Sequence, residues 1–137
     1  MSNEARVFID SNILLYLLSD DQRKANIAES LLSDESVDRV ISTQVVNEFV
    51  NVARKKARLG WDEIRDTIET FREACQLVPL AAEDQDVAID IAEDFRLQWY
   101  DSLMIASALK AEAPVLLSEN MHDGLSIDGT RISNPFG

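Results

Sequence analysis

One cysteine and one histidine occur in 137 residues, and those shortages exclude whole classes of chemistry. The lone Cys75 permits no disulfide framework, and on an expected helix it reads as a small core hydrophobe. With His122 as the only imidazole, neither a thiolate–imidazole zinc site nor an acid–base histidine pair can be assembled. His122 itself reads as a surface turn residue. The four glycines form no phosphate-cradling loop and no Gly-x-Ser-x-Gly turn. No apolar run approaches membrane-spanning length, and the polar start Met-Ser-Asn-Glu-Ala-Arg has no secretory pattern. These absences lead to the expectation of a cytoplasmic protein with no membrane association.

Basic residues are scarce as well. Thirteen Lys and Arg stand against 25 Asp and Glu, a formal net charge of −12. That balance argues against broad, non-specific nucleic-acid binding. Screening over about 10 Å still leaves room for a local basic patch. Hydrophobic residues make up 46% of the chain, which excludes a disordered polymer. The length suits one domain spanning 1–137 with a single core.

Short apolar runs alternate with amphipathic stretches. Strands are expected at 6–9, 39–42, 77–80, 115–117 and 130–132, the third irregular or at an edge because it contains Pro79. Helices are expected at 13–18, 22–32, 43–57, 62–76, 83–95 and 99–109. In the helix at 83–95, Val87, Ala88, Ile91, Ala92 and Phe95 are expected to face inward. The alternation implies an α/β fold, a three-layer α/β/α arrangement around a Rossmann-like parallel sheet.

Three acids stand at semi-buried places where folding does not need them. Asp101 lies in the first turn of the last helix, which is apolar on nearly every side from Leu103 to Leu109 and therefore buried. It shares a face with Ile105 and Ala108. Asp10 follows the first apolar strand, where ligands gather in open α/β sheets, although a helix cap would also place an aspartate there. Glu48 borders the apolar face of the third helix, where acids also commonly reach solvent. Carboxylates gathered in one pocket repel each other. A hard, oxygen-binding cation, Mg²⁺ or Mn²⁺, relieves that repulsion and leaves positions for phosphate oxygens.

The chain resembles the PIN-domain family of metal-dependent nucleases, and most closely the VapC-type toxins of toxin–antitoxin pairs. The resemblance is carried by Phe8-Ile9-Asp10-Ser11-Asn12-Ile13-Leu14, Asn47-Glu48-Phe49, Tyr100-Asp101-Ser102-Leu103-Met104-Ile105-Ala106-Ser107-Ala108 and Leu116-Leu117-Ser118-Glu119-Asn120. It implies endoribonuclease activity with Mg²⁺ or Mn²⁺, an RNA substrate, a cognate antitoxin and a homodimer held by helices. The family's acids, catalytic and metal-binding, fall on Asp10, Glu48 and Asp101, with Asp10 and Asp101 as main metal ligands and Glu48 holding a ligand or accepting a proton. Its fourth acid falls on Asn120, where this chain departs from the pattern; Glu119 or Asp123 would substitute if the turn were shifted. Asn12 and Ser118 match positions that support the site through hydrogen bonds. Arg54, Lys55, Lys56 and Arg58, beyond Glu48 on its helix, either contact the RNA backbone or cap the helix. A catalytically weak PIN-like protein- or RNA-binding module and an RNA-maturation nuclease are the alternative readings.

Overall fold

The computed structural model describes residues 6–137; the polar start at 1–5 lies outside the described residues. Six strands and six helices follow one another as β1 (Arg6–Ile9), α1 (Ser11–Leu15), α2 (Gln22–Ser33), β2 (Asp38–Ser42), α3 (Thr43–Lys55), α4 (Trp61–Ala74), β3 (Gln76–Val78), α5 (Ala82–Phe95), α6 (Trp99–Lys110), β4 (Val115–Leu117), β5 (Ser126–Ile127) and β6 (Thr130–Ser133). A 3₁₀ turn at Tyr16–Leu18 extends α1.

The strands form one sheet in the order β3-β2-β1-β4-β6-β5. All pairings are parallel except β5 with β6. Successive strand residues point to opposite faces, and Phe8 and Ile9 are both wholly buried. Helices therefore cover the sheet on both sides, giving the three-layer α/β/α architecture. From β1 the chain first builds outward through β2 and β3, then crosses to β4 on the other side of β1. This reversal puts a crevice at the C-terminal ends of β1 and β4, the usual ligand position in such sheets.

Local chemistry sets the helix starts. Asp21 and Ser42 cap α2 and α3 by accepting the Lys24 and Val45 backbone N–H groups at 3.2 and 3.3 Å. Glu63 and Asp84 reach back to the N–H groups of Gly60 and Ala81, fixing the starts of α4 and α5. Phe49 and Phe71 meet edge to face at 4.9 Å, packing α3 against α4. α6 is buried from Ser102 to Ala108, as its lack of a polar stripe requires.

Several elements differ from expectation. α3 ends at Lys55 rather than Ala57. α4 begins at Trp61 and ends at Ala74, so Cys75 lies just past the helix; it is buried, and burial pushes its thiol up to about 11. Val87 and Phe95 are exposed although their spacing suits an inward face. α5 buries only a narrow line through Asp84, Ala88 and Ile91. The β5–β6 hairpin was not expected. It turns on Asp128-Gly129, both at positive φ (48° and 94°), as a tight two-residue hairpin demands.

Candidate active site

The crevice holds an acidic cavity of about 290 Å³. Asp10, Glu48 and Asp101 line it together with Asn12, Asn51 and Asn120. Five segments deliver these groups: the end of β1, the start of α1, α3, the first turn of α6 and the turn after β4. The structure thus brings the three expected acids to one place.

Asp10 is the most constrained of them, at 6% exposure. Its Oδ1 accepts the backbone N–H of Ser11 at 2.6 Å. Its Oδ2 accepts the Ser118 hydroxyl at 2.9 Å. The Asn12 amide stands 3.2 Å from Ser118 Oγ and 3.3 Å from Asp10 Oδ2. The Asn12 carbonyl oxygen accepts the Glu119 backbone N–H at 3.4 Å, which sets the direction of the amide. Asn12 and Ser118 therefore hold one edge of the Asp10 carboxyl in position.

Ser11 joins two acids. Its hydroxyl donates to Glu48 Oε2 at 2.7 Å and lies 3.3 Å from Asp10 Oδ1. With one proton to give, the shorter contact takes it. The other Glu48 oxygen, Oε1, meets only the Gln44 amide at 3.4 Å. Sequence reasoning did not single out Ser11, Gln44, Asn51 or Tyr100. Helical spacing identifies two of them, since Gln44 and Asn51 stand four before and three after Glu48.

The electrostatics are those of crowded carboxylates. Burial pushes the Asp10 carboxyl from 3.8 up to about 6, and the nearby Glu48 and Asp101 push the same way against the Ser118 and Ser11 hydrogen bonds. The Asp101 carboxyl is also raised, first by burial and then by Glu48. Among the described residues, no ion pair reaches Asp10, Glu48 or Asp101. A pocket of oxygen donors with excess negative charge and no protein counter-ion suits a hard divalent cation. Among the described residues, no three His, Cys, Asp or Glu side chains draw together tightly enough to hold an ion unaided. The donor set suits a divalent cation that keeps several waters and takes one or two carboxylates.

The turn after β4 separates the candidates for the fourth position. Asn120 lines the cavity. Glu119 turns away: Lys24 Nζ donates to its Oε2 at 2.6 Å, and the Tyr16 hydroxyl donates to its Oε1. Burial alone would raise the Glu119 carboxyl, but Lys24 and Tyr16 outweigh it and hold it below the ordinary range. Asp123 accepts the Asn134 backbone N–H at 3.0 Å, outside the cavity. His122 is exposed and does not line the acidic cavity.

The four cations near the end of α3 also divide. Lys55 stands seven residues after Glu48 and four after Asn51, so it continues the cavity-facing line of the helix. Arg54 donates to the Leu59 carbonyl at 2.9 Å and stacks over Trp61 at 4.4 Å. Lys56 and Arg58 lie past the helix end, Arg58 at positive φ. A larger cavity of about 450 Å³ lies elsewhere, beside Pro114 and Thr130 at the N-terminal ends of β4 and β6. It contains none of the groups above.

The chain is similar in fold to a toxin–antitoxin complex from Klebsiella pneumoniae, at 21% identity and a TM-score of 0.69 over 94% of this chain and 97% of that one. VapBC2 from Rickettsia felis, bound to a DNA fragment from its promoter, is similar at 16% identity and 0.66 over 94% and 98%. The sarcin–ricin-loop-cleaving toxin VapC20 of Mycobacterium tuberculosis is similar at 15% and 0.64 over 80% and 86%. No curated protein matches the chain in sequence. The PIN domain family matches residues 7–122, the span that runs from β1 through Asn120 and carries every group of the acidic cavity, and the chain belongs to that family.

Proposed function

We propose that the protein is a divalent-metal-dependent endoribonuclease that hydrolyses RNA phosphodiesters, and that it is the toxin of a toxin–antitoxin pair. The observation that carries this reading is the meeting of Asp10, Glu48 and Asp101 in one cavity without a protein counter-ion. Asp10 and Asp101 would hold Mg²⁺ or Mn²⁺, with Asn120 offering an amide oxygen. When bound, such a cation lowers the pKa of water and offsets charge on the phosphate and the leaving oxygen. Asn12 and Ser118 fix the Asp10 carboxyl. Ser11 anchors Glu48 through Oε2, so Glu48 Oε1 is the atom left to take a proton from the attacking water. This hydrolysis needs no RNA 2′-hydroxyl and leaves a 5′-phosphate.

The partners follow the same chemistry. An antitoxin segment bearing arginine would pair with the cavity carboxylates in bidentate fashion. Val87, Ile89, Phe95, Trp99 and Tyr100 leave large apolar side chains exposed on α5 and α6, a surface that a helix-mediated homodimer would cover. No described helix is long and apolar enough to cross a membrane, and a cytoplasmic location fits the proposed substrate.

The test is Asp101→Asn, assayed on single-stranded RNA with Mg²⁺, with Mn²⁺ and with excess chelator. Cleavage by wild type that requires the ion and is lost in the variant, with the fold retained by circular dichroism, supports the proposal. Undiminished cleavage by the variant, or full activity in chelator, overturns it. Binding of RNA or partner without any cleavage points instead to the catalytically weak module that Asn120 allows.

A further inference from the structure

A second cavity of about 220 Å³ opens beside the acidic one. The two share the Asp101 and Asn120 walls. Leu97, Met121, Leu125 and Ile132 supply its apolar wall, and beyond the shared pair its polar residues are Arg96, Gln98 and His122. None of these three side chains has a hydrogen bond or ion pair among the described residues. The volume corresponds to about seven waters, enough for one flat heterocycle and too little for a stacked pair.

Arg96 has an unusual backbone. It ends α5 in the left-handed region, at φ 56° and ψ 46°. Helix ends of this kind normally use glycine, because a Cβ disfavours the conformation. An arginine there is a poor choice for the helix end, yet Arg96 lines the cavity.

We propose that this second cavity is a base-binding subsite, which takes the nucleobase next to the scissile phosphate and sets where the RNA is cut. The proposal rests on the ribonuclease reading above and names the specificity of that same site. Single-stranded bases are recognised by stacking on histidine or arginine planes and by hydrogen bonds at their edges. His122 supplies the stacking plane and Gln98 both a donor and an acceptor. The Arg96 fork matches the paired O6 and N7 acceptors of guanine. A purine is therefore the expected occupant, guanine first. With the base seated here, the shared Asp101–Asn120 wall puts the adjoining phosphate against the acidic cavity.

Two measurements test the subsite separately from cleavage. In chelator, where nothing is cut, single-stranded RNA pentamers carrying 2-aminopurine at successive positions are titrated with protein. One position should be quenched by stacking, and His122→Ala should weaken that binding about tenfold. With Mg²⁺, cleavage of a randomised single-stranded RNA is mapped by sequencing the ends. Wild type should prefer a purine at one position adjoining the cut, and His122→Ala, Gln98→Ala and Arg96→Gly should flatten the preference at that position. Arg96→Gly suits the left-handed helix end, so a flattened preference with no loss of melting temperature separates recognition from folding. Cleavage by all three variants with wild-type base preference overturns the subsite and leaves the nuclease reading intact. Position-specific quenching lost in His122→Ala, in a protein that cuts no RNA, supports base binding in the cavity but overturns the nuclease reading and with it the cavity's role in choosing the cut. Absence of quenching at every position overturns the subsite.

Discussion

Replacing Asp10 by asparagine should stabilise the metal-free protein near neutral pH, by an amount that grows with pH. The Asp10 carboxyl is held at about 6 in the folded protein against an ordinary value of 3.8. Between those values the folded chain binds a proton that the unfolded chain has released, so stability falls as pH rises through the window. Below it the carboxyl is neutral in both states and carries no penalty; above it the penalty is complete. A rise of about two units corresponds to about 3 kcal/mol. Asparagine keeps an oxygen for the Ser11 N–H, and the Ser118 hydroxyl can rotate to accept from the new amide. Urea unfolding in chelator, from about pH 4 to about pH 7.5, should show the stability gap between variant and wild type widening by about 2.4 kcal/mol, because part of the penalty is already present at pH 4. That is a relative midpoint shift on the order of 1–3 M urea. Saturating Mg²⁺ or Mn²⁺ should reduce the pH dependence of wild type by stabilising the ionised carboxyl. A gap that stays constant across the range would refute the reasoning, because it would mean that the Asp10 carboxyl is not perturbed.

Asn120→Asp should destabilise the metal-free protein through like-charge repulsion and raise metal affinity, while Glu119→Gln, whose carboxyl Lys24 and Tyr16 already hold, should leave that affinity within about twofold. Calorimetry at fixed salt decides between the two residues, and equal affinities for Asn120→Asp and wild type would remove Asn120 from the site. Lys55→Gln should weaken RNA binding and lower the salt slope by about one phosphate contact, whereas Arg54→Gln should lower the melting temperature by a few degrees with little effect on binding.

The sequence carried the fold well where periodicity and end signals agreed. Val7-Phe8-Ile9 before Asp10, and Val115-Leu116-Leu117 before Ser118, could only be short buried strands, and both were. α6 announced its burial by having no polar face. The errors arose where tertiary context decided. Val87 and Phe95 follow the spacing of an apolar face, but α5 buries only the narrower line through Asp84, Ala88 and Ile91. The β5–β6 hairpin is signalled by Asp128-Gly129, but its strands are too short for periodicity to mark both of them. At the site, residue types located the three acids, but pattern could not reveal the Ser11 bridge between Asp10 and Glu48. Nor could it say which of Glu119, Asn120 and Asp123 faces the cavity, because in an irregular turn side-chain direction follows from partners such as Lys24 rather than from spacing.

The parallel pairing of β1 with β4 also governs when the acidic cavity can come into being. Asp10 and the Ser118 hydroxyl that holds it are separated by 108 positions along the chain. Pairings of that range close large loops and belong to the slow class of folding reactions. During synthesis, β1, α3 and the first turn of α6 leave the ribosome while Ser118 and Asn120 are still inside it. A nascent chain therefore carries its three carboxylates without the turn that completes the pocket around them. Assembly of the site waits for the turn that carries Ser118 and Asn120, so products truncated before it retain the acids but lack the chamber.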